Sequence, residues 1–226
     1  MRTLLVSFLA VVFLTSIASA EVLVTANPLG QGVFGFELAG MQDSNFLDQG
    51  NDAKMTSYGG YIGYGILDKL DLYLDIGSMK TSGLPSDQEL GGTAYGASLK
   101  YTILEEGENM PVSVAAALRY RTVTQDYKVS GTKMGEANYA QSTIGVGVSK
   151  IMVPFIPYLG ISYKETKQYS DEFATQTDIT LGTAIAWSMQ GAVFVEYTSQ
   201  AIQDKMGGVG DHNSGQMALG VAYSLR

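Results

Sequence analysis

The chain has 226 residues, with 14 Lys and Arg against 22 Asp and Glu for a net charge of -8. No basic patch interrupts it, which excludes a nucleic-acid-binding surface. The absence of Cys likewise excludes a small secreted scaffold held by disulfides.

Residues 1–20 begin with Arg2, run apolar from Leu4 to Leu14 and close on Ala18-Ser19-Ala20, the small-x-small pattern read by signal peptidase. The run is too short for a spanning helix and reads as a cleaved export signal, which leaves 21–226 as one domain. No later stretch approaches the roughly 18 consecutive apolar residues of a transmembrane helix. A membrane location therefore requires strands.

Residues 21–31 read as an irregular lead-in, broken by Asn27-Pro28 and Gly30. Phe34, Phe36 and Leu38 then alternate with Gly35, Glu37 and Ala39 in a first strand, and a polar loop follows over 42–54. The stretch 59–77 is a hairpin turning at 67–69. Its first arm sets Tyr58, Ile62, Tyr64 and Ile66 against Ser57, Gly59, Tyr61 and Gly63, and its second sets Leu70, Leu72, Leu74 and Ile76 against Asp71, Tyr73, Asp75 and Gly77. After a loop over 80–91, Tyr95, Ala97, Leu99 and Tyr101 oppose Gly96, Ser98 and Lys100. An acidic turn over 105–109 leads to a fifth strand, in which Val114, Ala116, Leu118 and Tyr120 oppose Ala115, Ala117, Arg119 and Arg121. Polar loops over 124–136, 165–176 and 199–215 separate the remaining pairs. In those strands Ile144 and Val146 face away from Thr143 and Gly145, Leu159 and Tyr163 from Tyr158 and Lys164, and Ile179 and Trp187 from Asp178 and Ala186. Val195 and Tyr197 oppose Glu196, and Leu219 and Tyr223 oppose Gly220 and Ala222.

The connections alternate long, short, long, beginning and ending with a long one. That rhythm predicts an all-β fold: a single transmembrane antiparallel up-and-down β-barrel of about ten strands, with short periplasmic turns and long extracellular loops. Strands of about 9 to 11 residues match a tilted crossing of the bilayer. The topology also assigns depths to the aromatics on the oily face. Phe34, Tyr64, Tyr101, Phe155, Trp187 and Tyr223 fall near the periplasmic end, and Tyr58, Tyr95, Tyr120, Tyr163 and Tyr197 near the outer end. Two such groups are expected of interfacial girdles.

In this pattern, over residues 33–225, the chain resembles the small bacterial outer-membrane β-barrel proteins, the porin-like and OmpA/OmpX-like group. The resemblance implies a Gram-negative outer-membrane location, contact with lipid and lipopolysaccharide, and insertion by the outer-membrane assembly machinery. That family usually ends on an aromatic residue; here Tyr223, Leu225 and Arg226 close the chain, which keeps the alternating apolar signal shifted by one residue.

Two families of barrel enzymes bear on the single histidine, His212. Omptin proteases use an Asp/His pair on one face, but Asp211 and His212 are adjacent and point to opposite faces of a strand. Lipid A deacylases use a lipid-exposed His-x-Ser, whereas the parity of the last strand puts 212, 214 and 216 on the polar side, with no acid to orient the histidine. Asp48, Asn51 and Asp52 beside Gly50 lack the spacing of a calcium loop. The expectation is a non-enzymatic protein with no metal and no cofactor.

The informative residues are the inward charges Glu37, Asp71, Asp75, Lys100, Arg119, Arg121, Lys164, Asp178 and Glu196, since charge at membrane depth is costly unless paired or wet. The chain has 27 Gly, most within strand-like runs, where glycine marks crowded backbone or a cavity kept open. A ten-stranded barrel is roughly 18 Å across. The expectation is a wet, partly occluded lumen acting as a narrow pore for small solutes or ions. The alternative is a structural or surface-interaction barrel working through its outer loops.

Overall fold

Period-two alternation leaves each run one oily and one polar face, and in the computed structural model, which describes residues 25–43, 54–82, 88–168, 171–204 and 212–225, every such run is a strand. In chain order these are β1 (Phe34–Asp43), β2 (Lys54–Leu67), β3 (Leu70–Ser82), β4 (Gln88–Leu104), β5 (Ser113–Val129), β6 (Thr132–Ser149), β7 (Phe155–Gln168), β8 (Asp171–Ala186), β9 (Gly191–Asp204) and β10 (His212–Leu225). Each pairs antiparallel with the next, and β1 closes on β10 with Phe34 opposite Leu225. Closure removes the unpaired edges that a ten-stranded open sheet would expose. The 1–20 segment and the acidic residues at 48–52 lie outside the described residues.

β1, at 10 residues, matches the 9 to 11 expected, and the other nine strands are longer, from 13 residues in β3 to 18 in β6. The polar stretches 124–136 and 165–176, read as loops, are mostly strand. The β5–β6 ladder continues through Thr124↔Asn138 and Asp126↔Glu136 to Val129↔Thr132, turning at Ser130 and Gly131 with φ of 48° and 78°, the positive pair that suits a two-residue hairpin. Polar pairs hold it: across the strands Thr124 Oγ1 donates to Asn138 Oδ1 at 2.8 Å and Lys133 Nζ reaches Asp126 at 2.7 Å, and along β6 Lys133 reaches Glu136 at 2.6 Å. The hydrogen bonds from Lys133 keep the Glu136 carboxyl below its usual range. Polarity marked the end of the oily belt, not the end of the strand.

The protein is apolar outside and polar inside. Leu38, Ile62, Leu74, Leu99, Leu118, Ile144, Leu159, Leu181, Val195 and Leu219 are exposed on the outer face, and so are all eleven aromatics assigned to it. Past the aromatics nearest the long-loop end, the outward residues turn polar at Ser78, Thr93, Ser142, Thr177 and Ser199. Among the largest fully buried side chains are Arg121, Lys164 and Gln141, the reverse of a water-soluble core. This is the distribution a bilayer imposes on a barrel.

The strands tilt, as the ladder itself shows. Hydrogen-bonded partners lead from Glu37 through Tyr61, Asp75, Gly96, Arg121, Gln141, Thr166 and Ala174 to Asp204 at the far end of β9. Residues at one depth therefore come from successively lower rows as the sheet is followed around.

Several inward glycines make room for aromatic rings and not for empty space. Tyr73 lies across its ladder partner Gly63, Tyr158 across Gly182 and Phe194 across Gly220, so that a Cβ at any of these glycines would run into the ring. At these three positions the missing side chains let large rings lie along the wall and occlude part of the lumen, while a cavity of about 290 Å³ bordered by Gly35 and Gly63 stays open near the short-turn end. Gly182→Ala is accordingly expected to destabilise the barrel by about 1–3 kcal/mol, the usual range for overpacking, in urea unfolding from lipid vesicles.

Candidate functional site

All nine inward charges predicted from strand parity face the lumen; Glu37 is half-buried and the other eight are buried. They form three levels. At mid-depth, Asp75 on β3 is shared by two guanidiniums from β5. Arg119 binds Oδ1 through Nε at 3.1 Å and a terminal nitrogen at 3.0 Å, and Arg121 binds Oδ2 at 2.9 and 2.7 Å. Between these strands Gly96 of β4 sits in the ladder row joining Asp75 to Arg121. A Cβ there would come within 3.0 Å of Asp75 Oδ1, so the glycine clears the path for side chains that span two strand spacings. Tyr61 completes the cluster, accepting from both arginines at 3.3 Å, with the Arg119 guanidinium 5.5 Å from its ring centre.

Across the ring, Glu196 accepts from the Tyr158 hydroxyl at 3.1 Å and from Thr198 Oγ1 at 3.2 Å, and Thr198 contacts Thr180 at 3.0 Å. Glu196 on β9 and Glu37 on β1 flank β10, the strand opposite β5 in the ten-membered ring. Two arginines on one wall thus face strands bearing two carboxylates.

Toward the long-loop end, Lys164 Nζ lies 3.9 Å from Asp178 and donates to Gln176 Oε1 at 3.3 Å, while the Gln176 amide donates to Asp178. Ser214 Oγ donates to Gln200 Oε1 at 2.6 Å, and Gln200 Nε2 to Gln216 Oε1 at 3.2 Å. Ser214 is thus an inward hydroxyl bound to an amide, not a lipid-exposed nucleophile. His212 begins β10 opposite Ile202, and Asp211 lies outside the described residues.

At the short-turn end, buried Asp71 and Lys100 pair at 3.3 Å, with Tyr73 donating to Asp71 at 3.3 Å. Here the lead-in segment turns into the barrel mouth. Lys100 Nζ donates to the carbonyls of Thr25 at 3.3 Å and Asn27 at 2.8 Å, and Leu29 N–H donates to Asp71 at 3.1 Å. A cavity of about 290 Å³ remains beside this segment, lined by Leu29, Glu37, Tyr73, Ala184, Phe194 and Ala222 among others.

Two features escaped the sequence reading. The inward rings Tyr61, Tyr73, Tyr158 and Phe194 were visible by parity alone but were outweighed by the glycines around them. The lead-in segment offers no periodicity by which its place could be read.

No family model matches the chain, and no curated protein matches it. Solved structures do. The β domain of the Bordetella autotransporter BrkA is 12% identical over 86% of this chain and 99% of that chain, with a TM-score of 0.50. The N-terminal β-barrel domain of Pseudomonas aeruginosa OprF is 14% identical over 87% and 99%, at 0.45. The outer membrane protease OmpT of Escherichia coli is 9% identical over 85% and 96%, at 0.43. The likeness is one of fold, that of the bacterial outer-membrane β-barrels, which the sequence pattern also resembles. Likeness of fold does not give function, which rests on the residues of the site.

Proposed function

We propose that the chain is a non-enzymatic outer-membrane protein, exported by a cleaved signal at 1–20, that acts as a narrow pore for small solutes or ions and is closed in the state described. Its partners are outer-membrane lipid and lipopolysaccharide, and the assembly machinery that inserts it; the eleven outward aromatics serve as its interfacial girdles. The observation that carries the pore reading is the mid-depth charge arrangement, with Arg119 and Arg121 on β5 and Glu37 and Glu196 on the strands flanking β10. Two guanidiniums around one carboxylate leave the β3–β5 wall net positive and facing the two carboxylates across it, which sets up a field across the lumen, and a barrel interior that served structure alone would be filled more cheaply by apolar side chains.

Arg119 is the residue to remove, because Arg121 still compensates Asp75 when it is gone. Single-channel recording in planar bilayers is expected to show rare, small openings for the wild-type chain and frequent, larger ones for Arg119→Ala. Unchanged conductance in Arg119→Ala, Glu37→Gln and Glu196→Gln alike contradicts a gate made of these charges, and no conductance in any of them contradicts the pore.

A second reading, a surface-interaction barrel, draws on the β5–β6 hairpin. Its ladder runs well past the girdle level with exposed charged pairs. Deleting that hairpin would remove binding in this reading and leave conductance intact.

A further inference from the structure

The mouth at the short-turn end is built to read peptide main chain. Residues 25–29 are held by side chains from four consecutive strands, through backbone atoms in all cases but one. Asp71 on β3 accepts from the Leu29 N–H, and Lys100 on β4 donates to the carbonyls of Thr25 and Asn27. Thr102, also on β4, donates to the carbonyl of Ala26 at 3.0 Å. Ser113 on β5 donates to the Asn27 side chain at 2.6 Å, and Ser149 on β6 accepts from the Ala26 N–H at 3.0 Å. All five wall residues are buried, from 0% to 5% exposed. Leu29 enters a notch left by two glycines, since a Cβ at Gly35 or Gly63 would come within 2.9 Å of its methyl groups. Gly65 lies against the Gly30 carbonyl, and Gly32 N–H donates to Gly65 O at 2.9 Å.

We infer that this mouth is a main-chain-binding seat whose ligand is the chain's own segment 25–31, and that the docked segment is a removable cover over the lower lumen. Three features separate a seat from incidental packing. A buried ion pair, Asp71–Lys100, spends its remaining hydrogen-bonding capacity on the segment's backbone. The wall groups donate to three carbonyls of the segment and accept from two of its N–H groups, so docking satisfies both partners at once. The 290 Å³ space beside the segment shows a mouth wider than its occupant. The role as a cover rests on the pore reading; the seat does not.

The seat is tested by amide exchange on the full mature chain folded in detergent micelles. The Ala26 and Leu29 amides are expected to exchange at least a hundredfold slower than in an unstructured peptide. Gly65→Ala, whose new Cβ would collide with the Gly30 carbonyl oxygen, is expected to release both while β9 and β10 stay protected. Thr102→Val, a milder change that removes one hydrogen bond, is expected to speed both by about fivefold. Unprotected amides in the wild type, or amides indifferent to both substitutions in a folded barrel, overturn the seat.

The cover is tested in the Arg119→Ala background with Ala26→Cys and Ser149→Cys, in a chain that has no other cysteine. Closure when oxidised and conduction when reduced support it, and equal conduction in both states overturns it. Conduction in neither state contradicts the pore reading, and the cover with it, while the exchange rates still decide the seat.

Discussion

Asp75→Leu is expected to cost the folded barrel about 3–5 kcal/mol, the penalty for breaking a buried charge cluster by removing one partner. The side chains of Asp75, Arg119 and Arg121 are each at most 1% exposed, and Asp75 receives both arginines through four contacts of 2.7–3.1 Å. Removing its carboxylate leaves two guanidiniums side by side, repelling each other, with Tyr61 among their other contacts. The loss is expected to be non-additive. Asp75→Leu combined with Arg119→Met and Arg121→Met should recover most of the lost stability, because an apolar layer of similar volume needs no compensating charge. Urea unfolding in lipid vesicles measures both. If the triple variant is less stable than Asp75→Leu, the arginines are stabilised by something other than Asp75, and the cluster as described is wrong.

The second large effect concerns depth. Leu118 lies on the outer face of β5 between the two aromatic groups, and Thr122 lies on the same strand and face just past Tyr120. An arginine at the middle of the apolar belt costs about 2–4 kcal/mol, falling to about 0–1 kcal/mol near the interface. Leu118→Arg is therefore expected to destabilise the barrel by about 2–4 kcal/mol and Thr122→Arg by less than about 1 kcal/mol, although only four residues separate them. Equal costs at the two positions would mean that the aromatics do not mark the membrane boundary.

The faces of the strands were legible in the sequence because period two is a property of the extended backbone. Leu38 or Ile62 outward and Lys100 or Glu196 inward follow once a strand is recognised. Partners were not legible in the same way. Whether Arg119 turns to Asp75 or reaches across the lumen depends on register and tilt, and on an empty position at Gly96, none of which parity supplies. Strand ends were hidden for another reason: beyond the bilayer the outward residues of β5 and β6 are polar, as a loop's would be, and cross-strand pairs such as Lys133 with Asp126 exist only once the register is fixed. Segment 25–31 has neither period nor charge, and its place depends entirely on groups up to 123 residues away along the chain.

The chain's single tryptophan offers the most direct test that this barrel spans a bilayer with its oily face outward. Trp187 is 56% exposed on the outer surface, beside the short turn joining β8 to β9. With the mature chain folded into vesicles containing lipids brominated at different acyl depths, its emission is expected to be blue-shifted and quenched most by bromines near the headgroup. Water-like emission that no brominated lipid quenches would contradict the account.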